Sequence, residues 1–375
     1  MPEQPTESPR LVAILGTRAQ TIKMAPLLAE LERQGLPFRL LLTGQHRETI
    51  DELLDEFDIR TSRERLYDGP EIKGMAQAAK WMLRTAWTLW RRRNNWAPRP
   101  RRNTIVLAHG DTFTTLLAAG IGWLVRARVA HVEAGLRSYD WRHPFPEELT
   151  RLIVTRFAHI AYCPGEWACG NLNPDRQAVV DTGANTILDA LRTATAAPPR
   201  PEASVNHPYA VVSVHRFENL YSRERMDIIL STIRQLAEHV KVILVLHPTT
   251  HKRLSELDEL DALERNPAIE LRPRMTYIPF TQLISQARIV VSDGGSNQEE
   301  LSYIGVPTLL MRMATERQEG LGENVTLSQF DPEVSRKVIH CTVRNDLGPP
   351  TREFPAQYPA SLITGDLRDR LKSSH

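Results

Sequence analysis

Short, unbroken apolar runs alternate along this chain with stretches of helical periodicity, and that alternation most limits what it can fold into. Arg10–Thr17 (R-L-V-A-I-L-G-T) is apolar throughout its middle and closes on glycine, the pattern of a strand covered on both faces. Ile22, Ala25, Leu28 and Leu31 then recur at helical spacing across Thr21–Gly35. Phe38–Thr43 repeats the strand pattern and is followed by Gly44-Gln45-His46 and a helix through Phe57. A long helix is expected over Lys73–Arg93, a strand over Thr104–Ala108, a helix over Thr112–Val125, and strands at His159–Cys163 and Val179–Gly183. Strand–helix alternation of this kind implies a mostly parallel sheet with right-handed crossovers.

Ala194–Pro208 is rich in alanine and proline and interrupts the pattern, which places a domain linker there. A second alternation follows. Strands are expected at Ala210–Val214, Val242–Leu246, Ile269–Leu271, Ile289–Ser292 and Thr308–Met311, with helices at Ser222–His239, Leu254–Arg265, Thr281–Gln286 and Asn297–Ile304. The expected architecture is therefore α/β, two doubly wound Rossmann-like domains over 1–195 and 196–375. A cleft between them would let both sets of strand ends address one ligand. From Gly348 the chain is Pro-rich with one short helical candidate near Leu367–Leu371, a tail that is a candidate to pack back on the first domain.

The stretch Ala130–Arg151 (A-H-V-E-A-G-L-R-S-Y-D-W-R-H-P-F-P-E-E-L-T-R) concentrates chemistry. A short strand delivers Glu133 at its carboxyl end, where open α/β sheets bind ligands. Pro144 and Pro146 close a loop, and Glu147 and Glu148 open a helix, the charge that suits a helix amino terminus. Glu147 and Arg151 are four apart and share a helix face. Each feature alone also suits a capped helix with solvated acids; in combination with the motifs elsewhere they point to a site.

Composition narrows the classes of function. In 375 residues, 47 Lys and Arg nearly balance 45 Asp and Glu, so the whole chain carries no electrostatic case for nucleic acid. No apolar run is long enough to span a bilayer. The polar, Pro-rich start M-P-E-Q-P-T-E-S-P-R has no apolar signal region, and three scattered cysteines (Cys163, Cys169, Cys341) suit reduced thiols; a cytoplasmic protein is expected. Cys163 and Cys169 lack partners at zinc spacing, so no metal is expected. One segment invites another reading: Trp81, Trp87, Trp90 and Trp96 run into Arg91, Arg92, Arg93, Arg99, Arg101 and Arg102. A membrane-surface or RNA-binding patch would look like this, as would a subunit interface. Tryptophans at helical spacing more often bury, and a core helix ending in cations is the preferred reading.

Motifs fall at the expected strand ends. They are Gly16-Thr17-Arg18 with Lys23, His109-Gly110-Asp111-Thr112 and His131-Val132-Glu133 in the first half. In the second they are His215-Arg216-Phe217-Glu218-Asn219 and Ser292-Asp293-Gly294-Gly295-Ser296-Asn297-Gln298-Glu299-Glu300. In this order the chain resembles the UDP-N-acetylglucosamine 2-epimerases, whose patterns G-T-R-P-E-x-I-K-M-A-P, H-G-D-T, H-V-E-A-G-L-R, P-E-E-x-x-R, G-H-R-R-E-N, L-P-F, D-S-G-G-x-Q-E-E and T-E-R-P-E are matched across Leu11 to about Glu319. The departures are Ala19-Gln20 for Pro-Glu, Asp293-Gly294-Gly295-Ser296 for D-S-G-G, and Thr315-Glu316-Arg317-Gln318-Glu319 for the last motif.

The resemblance implies a cofactor-free GT-B enzyme that removes the C2 proton of UDP-N-acetylglucosamine, expels UDP to leave a 2-acetamidoglucal, and re-adds UDP after protonation from the other face. It implies Asp111, Glu133 and Glu147 as acid and base, with Lys23 and Arg151 keeping carboxylates ionised. Three converging carboxylates would raise at least one pKa. His215 and Arg18 would meet the diphosphate, and Gly294, Gly295 and Ser296 would offer backbone N–H groups to it at a helix start. Glu300 would accept the ribose hydroxyls and Phe280 would flank uracil. Gln45, His46 and Gln77 fall where some relatives bind a second, activating UDP-sugar. A homodimer is implied as well. The rivals are a hydrolysing 2-epimerase, a 2-epimerase of a substituted UDP-sugar, a GT-B glycosyltransferase, and a non-catalytic nucleotide-sugar sensor.

Overall fold

The computed structural model describes residues 9–44, 48–67, 75–140, 146–315, 317–344 and 353–373. The chain divides into two compact units, Met1–Ala190 with Ala356–His375, and Leu191–Pro355. The first contains a seven-stranded parallel sheet: β1 (Leu11–Leu15), β2 (Phe38–Leu42), β3 (Arg63–Arg65), β4 (Ile105–His109), β5 (Arg128–Val132), β6 (Ile160–Cys163) and β7 (Ala178–Asp181), in the order 3-2-1-4-5-6-7. Every residue of β1 is fully buried because helices cover both sheet faces, which is why its sequence is unbroken rather than alternating. Each large aliphatic side chain buried this way contributes about 1.5–3 kcal/mol of hydrophobic stabilisation. The order reverses between β1 and β4, and the carboxyl ends there carry Gly16-Thr17 and His109-Gly110-Asp111. Such a reversal point is where doubly wound sheets open a ligand crevice.

Two helix starts fix this edge. Thr17 caps Arg18–Arg33 and Thr112 caps Phe113–Leu124, and the N–H of each donates in turn to the side chain three residues on. Gly16 is required between them: a Cβ there would lie 2.0 Å from Thr114 Oγ1.

The second unit repeats the design with six parallel strands: β8 (Tyr209–Ser213), β9 (Lys241–Leu246), β10 (Ile269–Pro273), β11 (Ile289–Ser292), β12 (Thr308–Leu310) and β13 (Val325–Leu327), in the order 10-9-8-11-12-13. Its reversal lies between β8 and β11, whose carboxyl ends lead to His215 and Asp293. The helix Gly295–Ile304 begins two residues after Asp293 and ends on the left-handed Gly305.

The three-residue strands β3 and β13 and the helix Pro332–Arg344 do not figure in the sequence reading, and the short candidate near Leu367–Leu371 is a helix of 14 residues, Pro359–Lys372. That helix packs within the first unit. Its Asp366 accepts a 2.7 Å hydrogen bond from the buried Tyr162 hydroxyl, and its Ala360 N–H donates to Asp189 at 2.7 Å. The tryptophans divide. Trp81 and Trp96 are core side chains whose indole N–H groups donate to the Thr43 and Leu89 carbonyls. Trp87 and Trp90 remain 56% and 45% exposed, with Arg91 and Arg93 over their rings. The core reading therefore describes half of that segment, and the other half is surface.

Candidate active site

Glu133 follows β5 with φ 63°, a left-handed backbone that costs a side-chain-bearing residue of order 1 kcal/mol or more and is held only where partners over-determine it. Those partners are present. Lys23 forms an ion pair with its Oε1, and Asn185 Nδ2 donates to the same oxygen at 2.6 Å. Lys23 and Glu133 side chains are 6% and 7% exposed, so the pair is almost wholly desolvated. The second carboxylate oxygen lies 3.6 Å from His109 Nε2. Burial pushes the His109 pKa down to about 3, more than the Glu133 charge opposes it, and that imidazole is neutral at ordinary pH. His131, also lowered by burial, donates from Nε2 to the Gly110 carbonyl at 2.8 Å.

Asp111 is matched separately. Arg151 donates to its Oδ2 from Nε at 2.9 Å and from Nη2 at 2.5 Å. The same guanidinium reaches Glu148 at 3.4 Å, and Glu148 also accepts from Arg137 at 2.6 Å and from the Ser138 N–H at 3.0 Å. Burial alone would raise the Glu148 pKa, but the Ser138 N–H and the two guanidinium groups hold it below the ordinary carboxylate range. The residue that shares Arg151 is thus Glu148, three positions before it, rather than Glu147, which opens the same helix with Oε2 buried and without a hydrogen-bond partner among the described residues. Cations and amides thus meet Glu133, Asp111 and Glu148.

Gln20, the departure in the first motif, is 2% exposed and ties the edge together. Its Oε1 accepts from the Gly16 and Thr17 N–H groups, and its Nε2 donates to the His109 carbonyl at 2.8 Å and Thr115 Oγ1 at 3.0 Å. A glutamate could not make the two donations. Arg18, at the first turn of the same helix, is half-buried.

In the second unit Asp293 is fully buried and accepts from the His215 N–H (3.0 Å), the Arg216 N–H (2.9 Å) and Asn219 Nδ2 (3.0 Å). His215 Nδ1 lies 3.3 Å from the same carboxylate, and the ring stacks on His247 with centroids 4.4 Å apart. Gly294 and Gly295 lead the helix on which Ser296 is half-buried and Glu300 is 3% exposed. The first N–H groups of a helix have no partner within the helix. Glu299 and Glu300 sit in the second turn, not the first; Glu299 pairs with Arg317, and Gln298 accepts from Thr315 and donates to the Arg317 and Glu319 carbonyls. Phe280 is partly buried on the helix Tyr277–Ser285. Gln77 is exposed on the helix Met75–Arg91, while Gln45 and His46 lie outside the described residues.

Within the first unit, then, Lys23 meets Glu133 and Asp111 meets Arg151; within the second, His215 gathers beside Asp293 and the glycine helix start. The sequence reading names Glu148, Asn219 and Arg317 inside motifs without giving them a role, and it does not single out Asn185, Arg137 or His247. Asn185 follows the carboxyl end of β7, the same positional signal that marked Glu133, and Asn219 stood unassigned inside a quoted motif. Among the described residues no group of three or more His, Cys, Asp or Glu is placed to hold a metal.

The chain is similar to known proteins along most of its length. It is 31% identical over 338 residues to the UDP-N-acetylglucosamine 2-epimerase of Yersinia pestis, covering 85% of this chain and 86% of that one. It is 29% identical over 345 residues to the enzyme of that name from Methanocaldococcus jannaschii, covering 88% and 91%. The solved M. jannaschii UDP-GlcNAc 2-epimerase in complex with UDP-GlcNAc and UDP superimposes with TM-score 0.77 at 26% identity, over 96% of this chain and 99% of that one. The Neisseria meningitidis UDP-GlcNAc 2-epimerase bound to UDP-GlcNAc shares the fold at TM-score 0.78 and 24% identity, over 96% and 99%. The fold is accordingly GT-B. The profile of the UDP-N-acetylglucosamine 2-epimerases matches residues 29–347, and the chain belongs to that family.

Proposed function

We propose that this protein interconverts UDP-N-acetylglucosamine and UDP-N-acetylmannosamine. A carboxylate of the first unit removes the proton at C2 while the C1–oxygen bond to UDP breaks, leaving a 2-acetamidoglucal; UDP re-adds to C1 as a second group protonates C2 from the opposite face. The observation that carries this reading is Glu133, held in a left-handed turn against Lys23 and Asn185 beside a neutral His109. Asp111 and Glu147 are the further acid/base candidates, and Arg151 donates to Asp111 and orients it. In the second unit His215, oriented by Asp293, and the amides of Gly294, Gly295 and Ser296 take the diphosphate; Arg18 is a further candidate for phosphate contact. Glu300 takes the ribose, and Phe280 flanks the uracil. Charge placed in advance around a departing diphosphate is the usual source of such rate enhancement.

The test is incubation with UDP-N-acetylglucosamine in deuterated water followed by NMR. Deuterium at C2 and UDP-N-acetylmannosamine as product are expected. Free N-acetylmannosamine with UDP would replace re-addition by hydrolysis, and absence of C2 exchange would end the assignment.

A cytoplasmic homodimer belongs to the same reading. No helix of the described residues is long and apolar enough to cross a membrane. Leu83, Trp87 and Trp90 lie at i, i+4 and i+7 on the helix Met75–Arg91 and are exposed together, an apolar stripe suited to a second copy.

A further inference from the structure

The opposite edge of the first sheet, where the strands begin, holds a cavity of about 670 Å³ that the reaction does not use. Arg102, Arg126, Arg128, His159, Trp123 and Ser373 line it. No carboxylate is among these lining residues. Arg128 is the first residue of β5, at whose other end Glu133 stands. Five residues at roughly 3.3 Å each place the two about 16 Å apart.

Several details suit an anion here. His159 Nδ1 accepts from the Val129 N–H at 3.1 Å, so its neutral tautomer carries the proton on Nε2, as a donor. Burial and then the Arg128 charge lower the His159 pKa, which favours its neutral form; burial and then Arg370 lower that of Arg128, with Tyr162 and Asp366 opposing. The neighbouring carboxylate, Asp366, is engaged with the Tyr162 hydroxyl and Arg370. Arg126 is held at φ 62°, a left-handed conformation, at the turn into β5. Trp123 is 55% exposed and braced by Phe157, with ring centroids 5.4 Å apart, so a broad apolar face stands beside the guanidinium groups.

We propose that this cavity is a second ligand site, taking a soluble phosphate-bearing molecule of the nucleotide class, its phosphates on Arg102, Arg126 and Arg128 and its ring on Trp123. Planar guanidinium groups suit phosphate, and indole suits a stacked base. The volume falls in the range of small-molecule sites.

The test uses ADP and inorganic pyrophosphate, titrated calorimetrically into the full chain. Arg126→Asn/Arg128→Gln should weaken ADP binding at least tenfold while leaving epimerisation of UDP-N-acetylglucosamine unchanged; asparagine suits the left-handed position. Trp123→Leu should lower ADP affinity towards that of pyrophosphate, and this exposed substitution carries the test should the double variant misfold. Equal ADP affinity in the wild type and in folded variants overturns the proposal. So does arginine-dependent binding to phosphatidylglycerol vesicles with no binding of ADP, because the phosphate would then belong to a membrane.

Discussion

At the carboxyl edge of the first sheet, acids face cations: Glu133 meets Lys23, and Asp111 meets Arg151. At the carboxyl edge of the second, the carboxylate of Asp293 is turned inward onto two backbone N–H groups and an amide, and a histidine pair and a glycine helix start are what it presents. The two sheets share strand order around their reversal points, so topology alone does not separate their tasks. The residue types set on that topology do. Buried ion pairs are weak contributors to stability, because desolvation offsets the Coulombic gain. The Lys23–Glu133 pair is therefore weak evidence for stability, in keeping with the catalytic role proposed for Glu133.

The largest effect should come from the first edge. Glu133→Gln is expected to lower kcat by 10²–10⁴-fold, the usual worth of a general acid or base, with UDP affinity within a few-fold of wild type. His215→Ala should act the other way round, weakening UDP affinity in parallel with kcat. Paired turnover and UDP titrations check both, and equal UDP losses in the two variants would erase the contrast. Removing the Glu133 charge also sets the buried Lys23 ammonium against a neutral amide, at about 3 kcal/mol of stability, so the assays belong well below the melting temperature.

Next in size is Asp293→Asn, which turns an amide N–H group toward donors and should cost about 2–4 kcal/mol in denaturant unfolding. A loss under about 1 kcal/mol would mean that Asp293 does not organise the His215 loop. Acid should also act, and from the first unit. His109 has a folded pKa of about 3 against an ordinary value of 6.5, so below 6.5 the unfolded chain binds a proton that the native chain refuses. Stability then falls as pH drops, by about 2 kcal/mol at pH 5 for this group, and His131 is shifted in the same direction. Urea midpoints at pH 7 and pH 5 for wild type and His109→Gln measure it; the variant should show a shallower pH dependence. Smallest is Gln20→Glu, which restores the family's residue while setting a carboxylate against the His109 carbonyl. It should cost about 1–2 kcal/mol, read as a shift in melting temperature.

The strands that build both edges were legible because burial on two faces leaves an unbroken apolar signature, as in Leu11–Leu15 and Val242–Leu246. Arg63–Arg65 carries no such signature, since a three-residue edge strand is defined by its neighbour rather than by its own side chains. The outline of the site was legible as motifs at strand ends. Its internal pairing was not, because Lys23 and Glu133 are 110 residues apart, Asn185 and Glu133 are 52 apart, and Asp111 and Arg151 are 40 apart. Helix spacing put Glu147 and Arg151 on one face, and it could not show that the guanidinium bonds Asp111, 40 residues away, and reaches Glu148.

The helix Pro359–Lys372 has a consequence for anyone who wishes to take the protein apart. The polypeptide leaves the first unit after Ala190 and returns to it at Ala356, so no single cut yields both units whole. A fragment ending near residue 195 would bare the surface that Ile363 and Leu367 now cover and strip Tyr162 of its acceptor. Expressing the first unit alone calls for a graft, its last twenty residues joined by a short linker behind Ala190.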